Sequence, residues 1–136
     1  ANEELDWFRQ QPTLSDAVRL AALAINSKGK RYSHQRRLSK TVLEQARNIL
    51  LANEKEICQS QDFDDLFALL ERLLLPVKGL GELYIYDTAL RIGAKIGVLP
   101  KRVYLHAGTR VGAKVLGFDR ITKTLEVSQL PEWLQQ

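Results

Sequence analysis

The sequence predicts an all-α protein, a small helical domain of about five helices that occupies residues 1–136 as a single domain. Apolar residues recur at spacings of three and four through most of residues 13–116, which is the period of helices that bury one face. The turn and alternation patterns typical of β-hairpins are not found in that range. A length of 136 residues and a hydrophobic content of 45% suit one folded domain with a core.

The first predicted helix spans residues 13–26 and is followed by a loop. Thr13 or Ser15 can cap its N-terminus, since either hydroxyl can accept a hydrogen bond from the first turn. Residues 28–37, which we call the basic segment, show no apolar period. The basic segment is therefore predicted to be a loop.

The second and third predicted helices span residues 40–58 and 63–74. Ser39 is the expected cap of the second helix, and Asn53 is expected to kink it or to end it early. Asp62 is the expected cap of the third helix, whose leucines recur at helical spacing.

A fourth helix is predicted at about 82–96, with Gly97 as its C-terminal cap. A fifth is predicted at about 100–116, because it begins at a proline and ends before a glycine. The remaining residues, 118–136, form a short tail. Within this tail, residues 122–127 alternate weakly between apolar and polar side chains, which is compatible with an extended segment.

The charge of the chain is unevenly distributed. Residues 28–40 carry six lysines or arginines and no acidic residue, and residues 88–118 carry another six and no acidic residue. Clustered cations favour a polyanionic partner, because they release counterions from phosphates. The alternative is an ordinary solvated surface, which is what many charge runs are.

The turn between the third and fourth helices is rich in glycine. It contains Gly79 and Gly81 on either side of Leu80. Both glycines permit a tight turn, and the leucine can fill the space between the two helices. The backbone N–H groups that begin the fourth helix can attract a phosphate, although the charge of Glu82 opposes a phosphate there. A helical hairpin with no ligand uses the same residues.

The pattern of a helix, Val77-Lys78-Gly79-Leu80-Gly81 and a second helix resembles the helix-hairpin-helix motif of DNA-binding proteins, here at about 66–97. The residues that follow resemble the base-excision DNA glycosylases built on this motif. Members of that family carry Val-Asp-x-His at the start of the next helix, and Val103-Tyr104-Leu105-His106 falls at a similar distance from the glycines. The resemblance covers about a third of the chain.

Two departures from the family bear on catalysis. Tyr104 stands where the family has its catalytic Asp, and Leu83 stands where the bifunctional members have a nucleophilic Lys. The resemblance therefore implies a phosphate-binding hairpin and not the glycosylase reaction. Asp87 and His106 remain as candidate catalytic groups, each with a structural alternative. For Asp87 the alternative is a polar partner in helix packing, and for His106 it is a hydrogen bond to a helix carbonyl.

The small number of cysteines and histidines excludes several kinds of site. The single cysteine, Cys58, and the two histidines exclude a disulfide framework, a zinc site made of cysteines alone and a four-cysteine iron–sulfur cluster. Cys58 itself is expected to lie in the core. Tyr32 could stack on a base or cover a helix end. We expect no cofactor.

These observations predict a nucleic-acid-binding module without strong sequence preference, with DNA favoured over RNA. A diverged DNA-repair enzyme and a structural or protein-interaction domain are the alternatives. A cytoplasmic location is expected, because the first residues are acidic and polar and no run of 18 apolar residues occurs. The residues expected to bind nucleic acid are Lys30, Arg31, Arg36, Arg37, Lys78, Gly79, Gly81, Lys101, Arg102, Arg110 and Lys114.

Overall fold

The computed structural model describes residues 3–104 and 124–126, and the chain divides into two compact units, Ala1–Leu99 and Pro100–Gln136. All the described helices lie in the first unit, which is all-α as the sequence predicts. The sequence predicts a single domain over residues 1–136, which would require the two units to pack together as one body. This stays a prediction.

The described part of the first unit contains six α-helices and one short 3-10 turn. The turn, Ser33–Gln35, lies inside the basic segment. The helices are α1 (Glu3–Arg9), α2 (Leu14–Ala22), α3 (Lys40–Ala52), α4 (Glu54–Cys58), α5 (Phe63–Leu74) and α6 (Glu82–Ile96).

The predicted caps account for where several helices begin and end. The Ser39 hydroxyl accepts a hydrogen bond from the backbone N–H of Val42 at 3.2 Å, and the Asp62 carboxylate accepts one from Asp65 at 2.8 Å. Asn53 separates α3 from α4, which confirms that the second predicted helix ends early. Gly97 ends α6 in the left-handed conformation, with a φ of 83°.

The first predicted helix ends sooner than its sequence pattern indicates. It stops at Ala22, because Ala24 has a positive φ of 56° and the chain then folds back on itself. The backbone N–H of Tyr32 donates to the carbonyl of Ala24 at 2.8 Å, and that of Asn26 donates to Lys30 at 2.7 Å. These hydrogen bonds hold the start of the basic segment beside the end of α2.

Helix α6 is the central element of the first unit, because α5, α2 and α1 all pack against it. Its buried side chains include Ile85, Ala89 and Ile92, together with the polar Thr88 and Arg91. A buried hydrogen bond also joins it to α2.

The hydroxyl of Tyr84 on α6 donates a hydrogen bond to the carbonyl of Ala22, at the end of α2, at 2.5 Å. Burial raises the pKa of Tyr84 to about 12, so this hydroxyl stays protonated and able to donate at neutral pH. The contact therefore fixes the end of α2 against the central helix.

The leucines of α5 form the core only in part as the sequence predicts. Leu66 and Leu70 are fully buried, and so is Ile92 on α6. Leu69 and Leu73 are half-buried instead. The prediction that Cys58 lies in the core is wrong, because its residue is exposed at the end of α4.

The second unit contains two short strands in its described part. Strand β1 (Arg102–Tyr104) pairs antiparallel with β2 (Thr124–Glu126), with Val103 opposite Leu125. The predicted fifth helix is therefore wrong at residues 102–104, and its residues 105–116 lie outside the described part. Val and Tyr favour strands. The segment with which they pair lies about 20 residues further along the chain, so local sequence periodicity does not reveal the pairing.

Replacing Leu70 with Ala is expected to lower the free energy of unfolding by about 2–5 kcal/mol, because a fully buried leucine leaves a cavity. The control is Leu75→Ala, since Leu75 is 46% exposed just beyond α5, and its cost should stay below about 1 kcal/mol. Urea unfolding followed by circular dichroism measures both. Equal effects at the two positions would contradict this packing of α5.

Candidate nucleic-acid interface

The turn that joins α5 to α6 is short and closed by its own backbone. The N–H of Val77 donates to the carbonyl of Leu74 at 3.0 Å, and the N–H of Leu80 donates to Val77 at 3.2 Å. Leu80 is buried, as the sequence predicts. We call residues 75–81 the hairpin turn.

The two glycines of the hairpin turn have different roles. Gly79 has a φ of 100°, a conformation that other residues rarely adopt. Gly81 has an extended backbone, and a Cβ built there would meet nothing within 4 Å. Both glycines permit the tight turn, as expected, but only the conformation of Gly79 specifically favours glycine. Gly81 instead begins α6 without a side-chain cap.

The hairpin turn touches the beginning of α3. A Cβ built at Gly79 would lie 3.7 Å from the side chain of Val42, in the first turn of that helix. Exposed cations flank this contact on both chain segments. Along the chain, Lys78 is adjacent to Gly79, and the other cations precede Val42 by two to six residues. We call these cations the hairpin surface: Arg36, Arg37, Lys40 and Lys78.

The basic segment is attached to α6 through the side chain of Asp87. One carboxylate oxygen of Asp87, Oδ2, lies 2.7 Å from Nε2 of His34 and accepts a hydrogen bond from Nε2 of Gln35 at 2.9 Å. The Gln35 side-chain oxygen accepts a hydrogen bond from the guanidinium of Arg91 at 3.1 Å. Gln35 is only 2% exposed, so it is the buried anchor of the segment.

Arg91 connects this anchor to α1. Its guanidinium carbon lies 3.9 Å from the centre of the Tyr32 ring, a cation–π contact. The Tyr32 hydroxyl donates to the Glu4 carboxylate at 2.7 Å, and Glu4 also accepts hydrogen bonds from the Ser27 backbone and hydroxyl. These contacts attach two points of the loop between α2 and α3, Ser27 and Tyr32, to α1 and α6.

Burial, hydrogen bonds and neighbouring charges together shift the pKa values of two charged groups in this network. Desolvation lowers the pKa of Arg91, and the neighbouring Asp87 carboxylate acts in the opposite direction. For Glu4, burial acts to raise the pKa, but the hydrogen bonds from Ser27 and Tyr32 outweigh it and leave the pKa lowered. The charged forms of both groups are thus supported by specific partners.

The predicted binding side chains differ in exposure and in the unit to which they belong. Lys30, Arg36, Arg37 and Lys78 are exposed on the first unit, whereas Arg31 is half-buried and its guanidinium donates to the carbonyl of Leu38 at 2.6 Å. Arg31 therefore helps to hold the segment. Exposed Lys101 and the β1 residue Arg102 belong to the second unit, and Arg110, Lys114 and His106 lie outside the described residues.

Two cations of the basic stretch 88–118 do not belong to a polyanion surface. Arg91 is 5% exposed, and Nζ of Lys95 donates hydrogen bonds to the backbone carbonyls of Arg9 and Gln11. Both count toward the charge of that stretch, but they are engaged within the first unit because the helix on which they lie is central. Tyr32, with Arg91 on its ring, acts structurally as well. Asp87 is a packing partner, but its partners lie on the basic segment.

No family model, curated protein or solved structure matches this chain. Among residues 3–104 and 124–126, no group of three or more His, Cys, Asp or Glu side chains is placed to hold a metal ion. No helix in that described part is long and apolar enough to cross a membrane.

Replacing Asp87 with Ala is expected to lower the free energy of unfolding by about 1–3 kcal/mol, because it leaves the hydrogen bonds of a buried network unmade. It should also speed tryptic cleavage within residues 28–37, since the segment loses its anchor. Asp6→Ala is the control, because the Asp6–Arg9 ion pair is exposed and contributes less than about 1 kcal/mol. Unchanged cleavage in Asp87→Ala would show that Asp87 does not hold the segment.

Proposed function

We propose that this chain is a nucleic-acid-binding module that contacts phosphates through its hairpin turn and hairpin surface, without strong sequence preference. One observation carries the proposal: the first turn of α3 contacts Gly79. This contact brings together two segments that are distant in sequence, and each of them carries exposed cations. The resemblance to helix-hairpin-helix proteins supports the same role for that turn.

The charges around the turn suit a phosphate backbone. The hairpin surface contributes four exposed cations. Lys28 and Lys30, at the start of the basic segment, are two further exposed cations. Ser33–Gln35 holds that segment in a fixed conformation through buried Gln35, so less conformational entropy is lost when phosphates bind. The first turn of α6 adds backbone N–H groups, whose attraction for an anion is opposed by Glu82.

The proposed recognition is of the phosphate backbone and not of base sequence. Cations on turns and helix ends position a nucleic acid but carry no information about its bases. DNA is the proposed partner over RNA on the resemblance to DNA-binding proteins alone, and the cytoplasm is the proposed location.

Binding to a short labelled DNA should fall steeply with salt. Four to six phosphate contacts, the number that the exposed cations can supply, predict a log–log slope of about −3 to −5. Fluorescence anisotropy over a salt titration, with duplex and single-stranded probes, measures the slope. Absence of binding to both probes at low salt would reject the nucleic-acid proposal. It would favour a protein-interaction domain, for which exposed Leu75 in the hairpin turn and exposed Leu83 just after it are the candidate contacts.

A matched pair of charge reversals tests whether DNA binds at the hairpin surface. Arg37→Glu should weaken binding on every DNA sequence to a similar degree, because the contact is to phosphate. Lys55→Glu makes the same change in net charge on α4, beyond the far end of α3. Lys55 is exposed and is not one of the hairpin-surface cations, and α4 follows the end of α3 opposite to the end that contains Val42. Equal losses for both variants would mean that only net charge matters.

The second candidate function is a diverged DNA-repair enzyme, which the 2.7 Å contact between His34 and Asp87 favours. A carboxylate that orients a histidine is a common arrangement in acid–base catalysis. The Asp87 carboxylate, however, also binds Gln35 and faces Arg91, which accounts for its position structurally.

We predict no release of damaged bases from duplex DNA, because Tyr104 and Leu83 occupy the family's two catalytic positions. A glycosylase assay on duplexes that contain single damaged bases tests this. Base release that is lost in Asp87→Asn or His34→Gln would establish the enzyme instead. The Asp87→Asn variant keeps the side-chain volume, so loss of activity there reports on the charge.

A further inference from the structure

We infer that protonation of His34 strengthens nucleic-acid binding at this surface, so that the affinity of the module is regulated by pH through the His34–Asp87 pair. The inference rests on the proposed function and adds its regulation. His34 lies in the basic segment, directly before the buried anchor Gln35 and two residues before exposed Arg36, and its side chain is 48% exposed. A charge gained there is therefore gained next to the proposed phosphate contacts.

The contact with Asp87 determines which ring nitrogen takes up the proton. Oδ2 of Asp87 lies 2.7 Å from Nε2 of His34, and an ionised carboxylate can only accept a hydrogen bond. Nε2 therefore carries its hydrogen when the ring is neutral, and the added proton goes to Nδ1. The hydrogen bond to Asp87 persists in both states, so protonation changes the charge of the segment without releasing it from α6.

The charges that face His34 balance one another, so protonation of His34 changes the net charge of the cluster. From α6, the negative Asp87 and the positive Arg91 cancel when the histidine is neutral, and the cluster gains one net positive charge when it is protonated. On the same segment, the ring of Tyr32 lies 6.0 Å from that of His34, and burial raises the pKa of Tyr32, which keeps it uncharged.

Three further charges surround this cluster. Glu4 of α1 reaches it through the Tyr32 hydroxyl, and Arg36 and Arg37 follow in sequence. Carboxylates and guanidinium groups keep their charge between pH 5 and 8, where histidine commonly titrates. Among the described groups that face the cluster, the imidazole is the one of the type that commonly titrates in that range.

Binding and protonation are then linked in both directions. If the charged imidazole binds phosphates better than the neutral one, bound phosphates raise the affinity of the imidazole for a proton by the same factor. DNA binding near neutral pH should therefore be accompanied by proton uptake at Nδ1 of His34.

The test measures the affinity for a short labelled DNA duplex at about pH 5.5 and about pH 8, on either side of the histidine range, at constant ionic strength. The unmodified chain should bind about five- to tenfold more tightly at the lower pH, the effect of one added charge near a phosphate. His34→Gln, whose amide can still donate to Asp87, should lose this pH dependence. His34→Lys should bind tightly at both pH values.

The chain supplies its own control, because it contains only one other histidine, His106. His106→Gln should retain the pH dependence, and circular dichroism at both pH values verifies that each variant is folded. NMR of the histidine ring nitrogens gives an independent measurement, in which DNA should shift the titration of His34 to higher pH. Both readouts follow the histidine itself, so a purely structural role would move neither.

The outcomes separate the two proposals. Binding whose pH dependence is unchanged in His34→Gln overturns the inference and leaves the proposed function standing. Binding with no pH dependence does the same. Absence of binding at both pH values rejects the proposed function, and the inference with it.

Discussion

The side chain of Gln35 joins the basic segment to the central helix, and much of the candidate surface depends on that attachment. Its amide donates to Asp87 and its oxygen accepts from Arg91. A buried guanidinium is costly without partners, so α6 needs the groups that the basic segment provides. Within the described residues, no buried side-chain nitrogen or oxygen is left without a hydrogen-bond partner. The contacts that satisfy Arg91 therefore also position the neighbouring cations.

Cations of this protein serve two physical purposes. Arg31, Arg91 and Lys95 donate hydrogen bonds to buried or half-buried acceptors and thereby stabilise the loops around α6. Arg36 and Arg37, which lie beside Gln35, remain exposed. A count of positive charges along the sequence treats both kinds alike, although only the exposed kind is available to a phosphate.

The hairpin turn shows how a short motif acquires a role from its surroundings. Its conformation favours glycine at position 79, where φ is 100°, and the side chain of Val42 in α3 lies next to that residue. A helical hairpin by itself offers one turn and one helix N-terminus. Contact with α3 adds the cations that precede that helix, which makes the turn part of a larger basic surface.

The sequence by itself determined the all-α class and the positions of most helices in the first unit. Those features depend on interactions within a few residues, such as the caps at Ser39, Asp62 and Gly97 and the spacing of leucines in α5. Only the tertiary structure decided that Asp87 pairs with His34, 53 residues away. It also decided that residues 102–104 pair with 124–126. Neither contact leaves a periodic signal, because both depend on how distant segments pack and not on local propensity.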